Sequence, residues 1–455
     1  MASEQQLLSG FGRTAPTRAT VHTPDSLGAV VDRVGAPPAR GIIARGLGRS
    51  YGDAAQNAGG DVLLCTDLDR VVEVDVAKGV ATVEAGVSID TLLRALLPLG
   101  WMPAVVPGTS NVTIGGAIAS DIHGKFRHGS FADYVEQLQL VSPAGGVQNL
   151  EPGPPADAFW STAGGMGLTG VITRATLRLQ LVETAQIVGD TERTTDVDDC
   201  MARMLDGDHR YQYSVAWIDC LAGGGQLGRA VLSRGNHAAL ADVPEAERAT
   251  ARQYMSRTRL TYPSGLPNLI NPLSVRAFNE MWYRKAPRAR TGERMGIKPF
   301  FFPLDGVRAW NRVYGRAGLV QYQFVVPYGE EAVVRYALER LRAARTPTFL
   351  AVLKRFEHDS RSLLGFPMAG WTLAVDVPAA RAGLAPLLDD LDERVASAGG
   401  RVYLTKDARV RPELLAVMYP QLARWRAARA QLDPRHVLWS DMDRRLDLTG
   451  REDRS

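Results

Sequence analysis

At 455 residues, 45% apolar and 22% charged with a formal net charge of +4, the chain has room for two or three domains and the balance of a globular enzyme. No run approaches the ~18 apolar residues that a membrane-spanning helix needs, and the opening MASEQQLLSGFGRTAP lacks the basic and apolar regions of a secretory signal, so a cytoplasmic protein is expected. Three cysteines, seven scattered histidines and no Lys/Arg block interleaved with aromatics argue against a disulfide framework, a bound metal and a nucleic-acid partner.

In chain order, the extended run GIIA at 41–44 leads into ARGLGRSYGD, where glycines 46, 48 and 52 surround Arg45, Arg49, Ser50 and Tyr51. Glycines so spaced let successive backbone N–H groups turn toward one anion, and the arginines add charge-assisted bonds; a pyrophosphate is the natural guest. Gly-rich turns also close ordinary hairpins. DVLLCT reads as a strand, and VVEVDVAKGVATVEA as a hairpin turning at Ala77, Lys78 and Gly79. Residues 88–99 carry apolar side chains at helical spacing after a Ser88 N-cap, with Gly100 as the stop. PGTSNVTIGGAIASDIHGK (107–125) and FWSTAGGMGLTGVI (159–172) repeat the glycine-rich chemistry. Three such loops in the first 172 residues point to a large nucleotide cofactor. LQLVSPAGGVQNLEP is a second hairpin, and GVITRATLRLQLVE a strand that leaves the region. No GxGxxG opens a βαβ unit, so this is not a Rossmann domain.

From about residue 184 to 400 the texture changes. Strand-like YQYSVAWID, LVQYQFVVPY, PTFLAVLKRF and WTLAVDVP alternate with helical EEAVVRYALERLRAAR and AGLAPLLDDLDERVASAG, which suggests an antiparallel sheet with helices on one face. Residues 257–304 stand out as basic, aromatic and broken by Pro and Gly, with Arg257, Arg259, Arg276, Arg284, Lys285, Arg288, Arg290, Arg294 and Lys298 around Phe278, Trp282 and Tyr283. Such a stretch suits a membrane surface or an amphiphilic phosphate-bearing ligand, and equally a solvated loop.

Lysine is rare in this arginine-rich chain, so Lys125, Lys354 and Lys406 draw attention: an amine titrates where a guanidinium does not. Lys354 and Phe356 alternate along VLKRF, and Gln321 and Gln323 along LVQYQF, so each pair shares one strand face. A lined pocket gives this pattern, and so does the outer face of an edge sheet. Trp217 and Tyr314 read as pocket, core or rim.

Taken together, ARGLGRSYGD, PGTSNVTIGGAIASDIHGK and GGMGLTGVI resemble the FAD-binding half of the vanillyl-alcohol oxidase / p-cresol methylhydroxylase (PCMH) superfamily. With YQFVVP, VLKRF, WTLAVDVP and YLTKDAR the resemblance extends over nearly the whole chain and narrows to the decaprenylphosphoryl-β-D-ribose oxidases, flavin subunits of a 2′-epimerase. It implies an α+β fold with a two-lobed PCMH-type FAD-binding domain (1–183, completed by 401–455) and an inserted antiparallel-sheet substrate domain (184–400). The implied reaction is FAD-dependent oxidation of the ribose 2-hydroxyl of a polyprenyl-phosphoryl ribofuranose. A separate NAD(P)H-dependent keto-reductase subunit would complete the epimerisation, and peripheral membrane contact would follow from the lipid substrate. Two other readings stay open: an alditol or aldonolactone oxidase acting on a soluble polyol, and a flavoprotein that binds a prenyl phosphate without oxidising it.

Carried over by position, the resemblance places FAD phosphates at Ala44, Arg45, Gly46, Leu47, Gly48, Arg49, Ser50, Tyr51, Gly52, Asp53 and Ala54. Gly108, Thr113, Ile114, Gly115 and Gly116, with Ser120, Asp121, Ile122 and His123, would line the rest of the cofactor. Val171 or Ile172 would meet the adenine end, and Tyr403 would approach from the C-terminal segment; Ile114 and Ile172 also read as plain core. Lys406 is the expected catalytic lysine, as base or as electrostatic stabiliser, with a surface lysine opening a helix as the competing reading. His123 and Tyr403 join it near the chemistry, His123 contacting ribose or phosphate unless it is purely structural. Lys125, Gln321, Gln323, Lys354, Phe356, Thr372, Ala374, Trp217 and Tyr314 are the substrate-side candidates. Three departures from the pattern matter. Arg49 stands where many sugar oxidases carry the histidine joined to flavin, so the FAD is expected to be non-covalent. Ala374 replaces a cysteine that nitroaromatic inhibitors trap, and Thr372 stands where Asn is more frequent.

Overall fold

The computed structural model describes residues 3–154, 157–254, 260–263 and 270–450; Arg257 and Arg259 of the basic stretch lie outside them. Ile42–Arg45 is the edge of a four-stranded sheet in the order Ser3–Leu8, Thr17–His22, Asp61–Leu64, Ile42–Arg45. Its parallel pairing with Asp61–Leu64 aims the glycine loop out of the sheet end. The C-terminal stretch seals that edge: the Ile42 amide donates to the Val437 carbonyl at 2.9 Å, and the Trp439 amide to the Ile42 carbonyl at 3.0 Å.

A six-stranded sheet follows, in the order Val71–Asp75, Val80–Glu84, Val171–Leu181, Val135–Ser142, Gly146–Leu150, with Trp101–Pro103 on the far end of Val171–Leu181. Both expected hairpins are present, the first turning at Gly79 with φ +68°. The helix Ile89–Leu96 starts where the Ser88 hydroxyl accepts from the Thr91 amide, tightens at Leu97–Leu99 and stops at left-handed Gly100, as capping chemistry dictates. Val171–Leu181, expected as a strand leaving the region, is the centre of this sheet. It does lead outward, for Gln186–Thr194 opens the next sheet only a few residues later.

The largest sheet has eight antiparallel strands, in the order Ala289–Gly296, Gln186–Thr194, Ala230–His237, Tyr213–Ile218, Ala351–Phe356, Gly370–Pro378, Leu319–Pro327, Arg401–Val402. Arg401–Val402 therefore extends this sheet two residues past position 400. Helices Val197–Gly207, Glu331–Ala343 and Leu384–Ser397 cover one face. Strand pleating sends alternate residues to opposite sides. Buried Leu353, Leu373, Val375 and Phe324 face the helices. Their neighbours Val352, Lys354, Ala374, Gln321 and Gln323 face a cavity. One apolar core runs without a break from Ile43 through Leu138 to Leu353 and Leu388.

Candidate active site

A cavity of about 1010 Å³ lies where the glycine loops meet the helix-free face of the large sheet. Ala44–Tyr51 and Ala54 line one side, with Gly108, Thr113, Gly115, Gly116, Ser120, Ile122 and Ile172. Gly46 and Gly48 are required by their surroundings. A Cβ at Gly46 would collide with the Thr113 hydroxyl, and Gly48, at φ +65°, would meet the Arg45 guanidinium. That guanidinium is braced on the Ala55 and Ser9 carbonyls at 2.9 and 2.7 Å. Arg49 donates through Nε to the Asn111 carbonyl at 3.1 Å and lies 5.2 Å from the Phe11 ring centre. The result is a backbone-lined, positively charged cradle suited to a dinucleotide phosphate.

Three lysines converge on the other side. Lys354 Nζ donates to the Gly124 carbonyl at 2.8 Å, and Lys125 Nζ to the Phe300 carbonyl while lying 4.4 Å from the Phe300 ring centre. Lys406 differs. Its Nζ sits 3.9 Å from the Tyr51 ring centre and has no hydrogen-bond acceptor among the described residues. It belongs to the turn after Arg401–Val402, with its amide bonded to the Tyr403 carbonyl; the next helix starts only at Pro412, which corrects the helix-opening alternative. Burial pushes the Lys406 ammonium down to about 8, with Asp376 pulling the other way. Burial likewise brings Lys125 to about 8, and brings Lys354 to about 7 with help from the charges of Lys406 and Lys125. Burial makes each of the three amines easier to deprotonate, and at Lys354 the neighbouring ammonium charges add to it.

His123 stands behind them. Its Nε2 is 3.0 Å from Gln323 Nε2, whose amide also donates to Thr372 Oγ1 at 3.2 Å. Nε2 is therefore the acceptor and Nδ1 carries the proton. Burial first, then Lys354 and Lys406, hold the ring well below the usual imidazole range, so it is neutral. Phe356, Tyr403 and Phe366 pack around it at centroid distances of 4.9, 5.1 and 5.3 Å. Tyr403 itself donates to the Ser120 carbonyl at 2.7 Å, tying the C-terminal turn to the second glycine-rich segment of the cradle.

Of the residues singled out in the sequence, Lys125, Trp217, Gln321, Gln323, Lys354, Ala374, Tyr403 and Lys406 reach the cavity, as does His123. Eight do not, and direct contact is corrected for each. Gly52 packs on the Asp407 carbonyl. Asp53 pairs with Arg445 at 2.8 Å. Ile114 and Val171 are fully buried core. Asp121 accepts from the Ala132 amide and the Ser360 hydroxyl. Phe356 supports the His123 ring, and Thr372 orients Gln323. Tyr314 stacks on Phe349 at 5.7 Å, behind the cavity-lining Phe349 and Tyr51.

Two acids went unassigned in the sequence reading. Asp305 reaches the cradle from the turn Pro303–Gly306, accepting from Thr109 Oγ1 and from the amide and hydroxyl of Ser110 at 2.6–2.7 Å; no motif announces it. Asp376 is directly opposite Gln321 in the sheet, whose amide donates to it. Its second carboxylate oxygen is buried with no partner among the described residues, and burial lifts the group to about 7 against the pull of Gln321 and Lys406. The alternation that put Thr372 and Ala374 on one face extends to Asp376, so the signal was present.

Comparison with known proteins converges on the same chemistry. The family described as FAD binding domain matches residues 19–151. The chain is 42% identical over 450 residues to the decaprenylphosphoryl-β-D-ribose oxidase of Mycolicibacterium smegmatis, covering 97% of each. The chain belongs to the decaprenylphosphoryl-β-D-ribose oxidase family. Membership makes it a FAD-dependent oxidoreductase, and the glycine-bared cradle fits that cofactor's pyrophosphate. A protein from the mprA 5′ region of Streptomyces coelicolor is 41% identical over 374 residues, 80% of this chain and 100% of its own. Likeness to mouse L-gulonolactone oxidase, 33% over 125 residues, covers only 26% of this chain and 28% of that enzyme. The family link thus spans both halves of the cavity, while the wider superfamily link spans about a quarter of the chain.

Proposed function

We propose that the chain uses FAD to oxidise the ribose 2-hydroxyl of decaprenylphosphoryl-β-D-ribofuranose to the 2-keto sugar. This is the first half of the 2′-epimerisation that yields the arabinose donor for cell-wall arabinan. The observation that carries the reading is Lys406: an amine that burial brings down to about 8, without an acceptor among the described residues, in a cavity shared with the nucleotide cradle. Bound FAD supplies the hydride acceptor. Lys406 Nζ takes the proton of the sugar hydroxyl, and its resulting charge faces the Tyr51 ring and the Asp376 carboxylate. Lys125 and Lys354 offer positive charge to the substrate phosphate, while neutral His123, fixed by Gln323 and Tyr403, shapes the sugar side. Tyr403, Arg49 and the loop glycines would hold the cofactor.

Residues 1–183 and 401–455 form the FAD-binding domain in this reading, and 184–400 the substrate domain. It is supported by Trp425 Nε1 donating to the Ser161 carbonyl at 2.9 Å and Arg429 Nε to that of Leu168 at 3.2 Å. The FAD is held non-covalently: Arg49 offers no atom for a flavin bond, and acid precipitation is expected to release the yellow chromophore into the supernatant. An NAD(P)H-dependent reductase consumes the ketone, and the lipid substrate places the enzyme at the cytoplasmic membrane face. No helix among the described residues is long and apolar enough to cross a membrane.

The test is anaerobic mixing with a short-chain prenyl-phosphoryl ribofuranose, following the flavin absorbance. Bleaching in the wild type, slowed at least ~10-fold (roughly 1.4 kcal/mol in barrier) in Lys406→Ala, is the expected result. Flavin that stays oxidised with this substrate but bleaches with a soluble polyol overturns the substrate assignment.

A further inference from the structure

The helix Pro272–Lys285 is built inside out. A surface helix normally turns its apolar stripe to the core and its polar face to water. Here only two side chains are buried, Val275, 2% exposed, and Asn279, fully buried, and most contacts of the inward face are polar. Asn279 Nδ2 donates to Asp219 Oδ1 at 2.8 Å and to the Thr348 carbonyl at 3.3 Å. Tyr283 donates to the Thr194 carbonyl at 3.1 Å, and Glu280 pairs with Arg229. The outward arc carries Leu273, Phe278, Met281 and Trp282, which are 82, 36, 56 and 43% exposed. Phe278 and Trp282 stack on each other at 6.0 Å and also line the cavity. The exposed apolar face is therefore continuous with the mouth of the active site.

We propose that this helix docks the enzyme on an anionic lipid surface, its apolar arc entering the headgroup boundary and the cavity mouth opening onto the bilayer. The inference rests on the lipid-linked substrate proposed above. Two observations select a lipid occupant. The helix itself holds three basic side chains, Arg276, Arg284 and Lys285, against one acidic one, Glu280, so the face is complementary to anionic headgroups. Leu, Phe, Met and Trp with Lys285 among them and Arg276 beyond the Leu273 edge is also the composition of interfacial helices. Moreover, Phe278 and Trp282 serve both face and mouth. A prenyl chain passing from a bilayer would stay against apolar surface throughout, whereas a protein seated on the arc would close the entrance.

The experiment is flotation of the full-chain flavoprotein with vesicles of phosphatidylcholine alone or mixed equally with phosphatidylglycerol. Wild type is compared with the double variant Leu273→Asp/Met281→Asp, whose residues lie outside the cavity wall, and with Arg276→Glu/Lys285→Glu. Wild type is expected to float with the mixed vesicles, and both variants to bind at least ~10-fold more weakly. Flavin reduction by the short-chain substrate should be the same in all three. Equal flotation of the double Asp variant overturns the proposal, as does wild type that stays unbound, or one that self-associates through this face. Reduction without flotation overturns docking and leaves the substrate reading intact. Flotation without reduction does the reverse.

Discussion

In the proposed reaction, Lys406 and Asp376 form the pair on which the chemistry turns. Neither has a hydrogen bond to the other, yet each moves the other's protonation: the carboxylate raises the amine, and the amine lowers the carboxylate. If Lys406 is the proton acceptor, anaerobic bleaching should speed up as pH rises through about 8, where the ammonium loses its proton. Asp376→Asn removes an anion that favours the charged amine, so the midpoint should move to lower pH while flavin content stays unchanged. A stopped-flow pH series on both proteins checks this, and an unmoved midpoint would separate Asp376 from the proton transfer. Ala374 supplies a second residue-scale prediction. Among the described residues the one thiol in the cavity wall is Cys65, which burial pushes up to about 12, out of the range where a thiolate attacks. Turnover with a nitroaromatic inhibitor should leave the intact mass of the wild type unchanged, and Ala374→Cys should introduce an adduct.

The elements that hold these residues work by shape. The glycine loop is tight against the Thr113 cap, so Gly46→Ala should lower the FAD content of purified protein. Adding Thr113→Ala removes the hydroxyl it strikes and should restore part of it, at a cost of about 1 kcal/mol for the lost N-cap. Chromophore-to-protein ratio reads both effects; equal occupancy in wild type and Gly46→Ala would refute the steric argument. At this scale the sequence was informative wherever local rules apply. Ser88, Gly79 and Gly100 announce their caps and turns, and period-2 alternation placed Gln321, Gln323 and Lys354 on the strand faces that line the cavity. It was silent where contacts join distant segments. Nothing near Asp305 signals that it will bind Ser110, and nothing in Asp53 shows that Arg445 will occupy it. Gly52 and Ile114 sit inside genuine loop motifs, but only packing reveals which residues of a motif face inward.

Across the whole molecule, the C-terminal segment crosses back to clamp the first lobe. Arg429 is 1% exposed; it bonds the Leu168 and Leu438 carbonyls and pairs with buried Asp433 at 2.7 Å. Arg429→Met strands that carboxylate, and breaking such a buried pair costs about 3–5 kcal/mol. A substantially lower melting temperature with loss of flavin on heating is expected, measured by calorimetry and by flavin fluorescence. Such closure could not be read from composition, since Arg429 looks like one of many arginines in a helix.

The inside-out helix at the cavity mouth has a kinetic corollary. An enzyme adsorbed on the sheet that dissolves its substrate searches in two dimensions, so the governing concentration is the mole fraction of substrate in the lipid. Adding inert phospholipid at constant total substrate should then slow turnover, as surface dilution requires, even though nothing in the aqueous phase has changed.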